Sequence, residues 1–410
     1  MEVLDRARAT DIRALFVTAA AVYVVTVVIG ILNGLDLVEF EHNVLMTHVH
    51  AGTLGWITLA VFASCGWIFG ASRTERDLRL WRWSVWLAIV AVPLYVLAFW
   101  IDDIGLRALL ALPVTLAIIG VLAWIAARSV EGWTIPRLAM LAAVFTLTLG
   151  AIFGTLIQVQ LALGTEWLGL EQAGGAHVTS MAFSYLVLVG MGLAEWRFVP
   201  PTERLSRAGL IQVAALFAGG LLLTLGALTS VTALLMLNTL FQLVAVVIFV
   251  VRLAPPVLAV PWLASGPIRY FGASAAFVVV NIALLIFVIV QLVSGAYGPP
   301  DQDPALLAIP PWLIFALDHA IFIGVMSNAI FGLMGTRTRG RGVGSPWGDH
   351  VVFWGMNLGM VGFVIGLAFE STVLKQTFSP IMGLSILIGL GLYVVRLWRT
   401  EPTAALETAA

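Results

Sequence analysis

Charge is scarce in this chain, at 10% of 410 residues, and the net charge is −1. With so little charge and no basic excess, neither nucleic acid nor an acidic partner is called for. There is a single cysteine, Cys65, which excludes an intrachain disulfide and any cysteine-based metal cluster. Its expected place is as a small apolar residue inside the second helix. No polar linker long enough to separate domains interrupts the sequence, so one domain over 1–410 is expected. The N-terminal segment Met1–Arg13 carries both charge signs and lacks a small-residue cleavage site. It reads as the start of a retained first helix, not a signal peptide.

What is abundant is apolar sequence: 61% hydrophobic residues and a mean hydropathy of +1.03. The apolar runs are close to the ~20 residues that a helix needs to cross hydrocarbon, and too long for barrel strands. The fold class is therefore all-α, a polytopic membrane bundle. Twelve spans are predicted, at roughly 11–32, 43–70, 81–101, 106–128, 137–163, 174–196, 207–228, 230–253, 269–294, 311–335, 349–370 and 379–399. Charge supports the count independently. Nineteen of the 21 Lys and Arg fall on one side, leaving Arg107 and Lys375 on the other. By the positive-inside rule both termini are cytoplasmic and the protein lies in the cell (plasma or inner) membrane. The opposite loops carry acids such as Asp36, Glu41, Asp102 and Glu171, and the longest of them, Ser294–Pro311, reads as a solvated turn around Asp301 and Asp303. Most of the tryptophans fall near span ends, as an interfacial belt does.

The histidines stand out against this background. His48 and His50 lie near the start of the second span, His177 near the start of the sixth and His319 near the start of the tenth. Those three spans run in the same direction, which puts all four imidazoles at similar depth toward the outer surface. Polar groups at such depth are costly unless they meet a partner, a metal or water. The plain alternative is an interfacial hydrogen bond. His42, in an outer loop, and His350, at the start of span eleven, are set aside as exposed. Residues 48 and 50 diverge by about 200° on a helix, so only one of them faces a given partner. Gly52, Thr53 and Gly55 follow, small enough to let a macrocycle or a neighbouring helix approach. Asp318 either orients His319 or serves as an interfacial charge, and adjacent residues diverge by about 100°. His177, after Gly174-Gly-Ala, opens a helix and reads as an interfacial residue.

Twelve helices with both termini inside, a histidine on helix 2, another near the start of helix 6, and His319 followed ten residues later by Ala329-Ile-Phe-Gly332 resemble subunit I of the haem-copper oxidase superfamily, including its nitric oxide reductase branch. The resemblance spans the chain in topology and is motif-level in three helices. It implies a b-type haem in the low-spin state, held by His48 or His50 on helix 2 and by His319 on helix 10. Ungapped placement of helix 2 favours His48. Where the family has a high-spin haem ligand two residues before His319, this chain has Leu317, and Gly209–Leu228 holds no histidine pair for copper. Of the family's copper ligands only His177 remains, with Tyr185 eight residues on, which implies a remnant metal ligand or, with His50, a second haem or copper site; the usual acid in helix 6 and lysine in helix 8 are not evident. The implied function is redox or electron transfer with an incomplete high-spin haem/copper centre, oxidoreductase-like in ancestry, with a respiratory electron donor or partner subunit. NnrS-type haem and copper proteins of the nitric oxide response are the second resemblance. A secondary transporter is the alternative from another class.

Overall fold

The computed structural model describes residues 2–70, 74–129, 132–203, 205–298, 309–338 and 346–399. Twelve of its helices are long and apolar enough to cross a membrane, and no strand occurs among the described residues. In chain order they are α1 (Arg6–Gly34), α2 (His42–Ile68), α3 (Glu75–Trp100), α4 (Ile104–Ser129), α5 (Ile135–Leu163), α6 (Leu170–Phe198), α7 (Arg207–Thr229), α8 (Thr232–Leu258), α9 (Ile268–Val293), α10 (Pro311–Thr338), α11 (Pro346–Ala368) and α12 (Thr372–Arg399). Every predicted span has its helix. Several helices, α1, α3, α6 and α12 among them, begin before the predicted limits because polar first turns are helical without being apolar. In α3, Thr74 accepts a hydrogen bond from the Asp77 amide at 3.1 Å and caps a turn that carries Glu75 and Asp77. Ser206 caps α7 in the same way. Most of the predicted loop 294–311 lies outside the described residues.

Burial divides the twelve sharply. The apolar windows of α2, α6 and α10 are 83, 72 and 72% buried, and no other span exceeds 50%. These three form the centre and the other nine surround them. The surrounding helices turn apolar stripes outward, as Val90, Leu94 and Leu97 do on α3 and Leu240, Leu243 and Val247 on α8. Such spacing is what a lipid-facing stripe requires. Cys65 is fully buried on α2. The interfacial belt holds for Trp83, Trp86, Trp100, Trp167 and Trp398, all exposed, but Trp56, Trp81 and Trp124 are core residues.

The same three central helices share a further feature. Each departs from α geometry into a wider π turn: Ala51–Thr58 in α2, Met181–Tyr185 in α6 and Ala320–Ser327 in α10. These are the only π segments among the described residues. Each begins within a few residues after a histidine. Such segments are rare and concentrate at functional sites.

Most of the buried charge lies near the ends carrying the chain termini. Glu195 on α6 is fully buried, held by both terminal nitrogens of Arg252 on α8, and accepts from Gln212 Nε2 on α7 at 3.1 Å. Arg396 on α12 donates to Asp349 at 2.7 Å, while Arg269 donates to the Asp349 carbonyl at 2.6 Å.

Candidate functional site: two imidazole-lined cavities

His48 and His50 point into different cavities, as their divergence on the helix requires. The larger cavity, about 460 Å³, lies between α1, α2, α10 and the α11–α12 pair and is lined by both His48 and His319. The smaller, about 270 Å³, lies between α2, α3, α4, α5 and α6 and is lined by both His50 and His177. Met46, Val49, Asp318 and Phe322 line both, and so form a shared wall. On the side of α10 facing α7 and α9, Leu313 and Leu317 belong to an apolar cluster with Leu223, Leu285 and Ile289. Leu317 is thus a core residue.

All four rings are anchored in one way. His48 Nδ1 is 2.9 Å from the Thr26 carbonyl, His319 Nδ1 2.7 Å from that of Phe315, His50 Nδ1 2.8 Å from that of Met46, and His177 Nδ1 2.8 Å from that of Gly150. A carbonyl oxygen only accepts, so each Nδ1 carries the proton and donates it. The lone pair is therefore on Nε2 in every ring, and no Nε2 takes a hydrogen bond among the described residues. Hydrogen bonding through one ring nitrogen is how proteins fix the tautomer and orientation of a metal-binding imidazole. Asp318 does not orient His319, because the Phe315 carbonyl does; it lines the two cavities instead.

The larger cavity is tightly fashioned around His48. Thr26 Oγ1 donates to the His48 carbonyl at 3.0 Å while the Thr26 carbonyl accepts from the ring, a reciprocal clamp between α1 and α2. A Cβ on Gly30 would sit 3.1 Å from His48 Cε1, so glycine there leaves room for the imidazole. Gly52 meets Thr26 and Gly55 meets Val22, so these two glycines serve helix contact with α1. At the floor, Trp56 stacks on Tyr23 with ring centres 4.7 Å apart. Trp56 Nε1 donates to Ser327 Oγ at 3.0 Å, and the Tyr23 hydroxyl is 3.2 Å from the same oxygen. At the rim, Lys375 pairs with Asp36. Its hydrogen bond, with help from Gln376, holds the Asp36 carboxyl below the usual carboxylate range. The depressed value means that this small contribution is present above the ordinary carboxylate pKa and is lost as pH falls through the lowered one.

Of the two histidines set aside, His42 is exposed at the start of α2. His350 is not: it is partly buried, with Nδ1 2.9 Å from Arg269 Nη1. Arginine only donates, so this nitrogen is occupied. No local pattern signals this contact, because Arg269 lies 81 residues away. No group of three or more His, Cys, Asp or Glu is placed to share one metal ion among the described residues.

No known family profile matches this chain, and no curated protein matches it.

Proposed function

We propose that the larger cavity holds a haem between His48 and His319, and that the protein carries electrons within the membrane. The observation that supports this reading is a pair of imidazoles from two central helices, each with Nδ1 pinned to a carbonyl and Nε2 bare, lining one largely apolar cavity. Two axial nitrogens on separate helices are what a six-coordinate haem needs. A volume of about 460 Å³ falls within the ~300–1,000 Å³ of small-molecule sites. Held by His48 and His319, such a group would supply outer-sphere electron transfer.

The chain's own residues do the rest. Thr26 and the Phe315 carbonyl fix the two rings, and Phe363, 4.9 Å from the His319 ring, limits its tilt. Tyr23, Trp56 and Ser327 close the floor with satisfied polar groups. Lys375 and Asn33 at the rim offer donors to acidic substituents of a macrocycle. On this reading the arginine-rich end faces the cytoplasm, and the electron donor is a membrane or respiratory partner that docks near the rim. Relation to the haem-copper oxidase subunit fits two of its histidine positions. Carriers coupled to protons or sodium commonly break helices near the midplane, whereas all twelve spans here are continuous helices.

The deciding experiment is a reduced-minus-oxidised optical spectrum of the full-length protein purified from haem-replete cells. Sharp low-spin haem bands are expected; a colourless preparation would end the proposal. A finer test uses Gly30→Val, whose side chain would push the His48 ring off the Thr26 carbonyl. It is expected to weaken haem retention roughly 10–100-fold, the usual cost of disturbing a ligand's support. Gly391→Ala, which meets nothing within 4 Å, should leave the spectrum unchanged.

A further inference from the structure

We propose that His50 and His177 are the axial ligands of a second haem, seated in the smaller cavity and separated from the first site by one layer of side chains. The proposal stands on this cavity's own geometry and does not need the first site to hold haem.

The two rings come from different central helices and line the same space. Each is anchored through Nδ1, His50 to its own helix at Met46 and His177 across to Gly150 on α5. Both therefore present a bare Nε2. An unpartnered lone pair within a membrane span asks for a Lewis acid or a proton donor. A quinone or an amide carbonyl is the wrong complement, because it needs donors and these nitrogens offer none. A lone transition-metal ion is also a poor match. No third His, Cys, Asp or Glu joins the pair among the described residues, and an ion has no use for about 270 Å³ of mostly apolar space. Iron in a planar macrocycle uses both: two axial nitrogens, and apolar walls for the ring.

Three further features belong to a built site. Gly154 faces the His177 ring so closely that a Cβ would lie 2.9 Å from Cε1. The His50 ring stacks on Phe99, with centres 4.0 Å apart and planes within 17°, and so is held against rotation. Arg107 lies over the other partner of that stack, its guanidinium 5.1 Å from the centre of the Phe99 ring. Arg107 and Lys375 are the two cations that the charge pattern leaves at the arginine-poor end. Lys375 lines the larger cavity and Arg107 lies behind Phe99 near His50, each paired with a loop carboxylate, Asp36 and Asp102 respectively.

The test is the haem-to-protein ratio of the purified full-length chain, measured by pyridine haemochrome, with redox titration of the optical bands. Two haems per chain are expected, falling to one in His50→Ala and in His177→Ala. His177→Met should keep the second haem and raise its midpoint potential, because methionine is itself an axial ligand that raises potentials; a protein that had merely misfolded would show neither. One haem that survives His50→Ala and His177→Ala but not His319→Ala would overturn this proposal and leave the first. One haem with the opposite sensitivity would overturn the first and leave this one. Copper without haem in the purified protein, or no chromophore at all, would overturn both.

Discussion

Replacing His319 by alanine is expected to remove the low-spin spectrum of the larger cavity entirely, either by loss of the haem or by conversion to a high-spin form. His48→Ala should do the same. The cavity lining holds no third imidazole to take the place of either. His350→Ala is the contrasting case. Its ring is also partly buried, yet its Nδ1 is already occupied by Arg269 and it lies on neither cavity wall. The spectrum should therefore be unmoved. A general folding defect is separated from ligand loss by His319→Gly with added imidazole, which restores the low-spin bands only if the missing ring was a ligand. Equal spectral effects from His319→Ala and His350→Ala would contradict the assignment.

The second large effect concerns stability. Glu195→Ala is expected to cost about 3–5 kcal/mol, the usual range for removing one partner of a buried ion pair. Glu195 is fully buried, and Arg252 keeps only Gln212 Oε1, at 2.9 Å, once the carboxylate is gone. The Arg252 side chain is only 15% exposed, so its guanidinium would be left largely buried without its carboxylate. Thermal unfolding in detergent should show a markedly lower midpoint. The double variant Glu195→Met/Arg252→Met should recover most of the loss, because well-packed apolar replacement of both charges is often neutral. If the single variant proves as stable as the parent, the ion pair does not tie α6, α7 and α8 together.

Much of this architecture was legible in the residues. Apolar runs of spanning length, with arginines alternating between them, marked all twelve helices, because hydrocarbon thickness and charge placement are written directly in composition. The separation of His48 from His50 followed from helical rotation alone, and the structure gives each a cavity of its own. Other features had no local signal. The π turns depend on which carbonyls neighbouring helices can satisfy, as where Asn281 of α9 donates to the Leu317 carbonyl at 3.1 Å. The ends of α3 and α12 were missed because polar helical turns resemble loops when only hydropathy is read. Asp318 adjoins His319 in sequence, yet it lies on the wall that the two cavities share. That position depends on how α2 and α10 meet, which no single stretch of sequence records. The glycines at 30 and 154 were equally silent, since what they admit is an imidazole from another helix.

The widened turns beneath the histidines carry a consequence for aim. An i→i+5 turn holds one residue more than an α turn, so the segment above it is set about 100° out of phase with the segment below. In each central helix the lower part can stay locked into its neighbours while the upper part is dialled to a different heading. Four rings can thus be directed at two chambers without disturbing the tightly packed base on which all three helices stand.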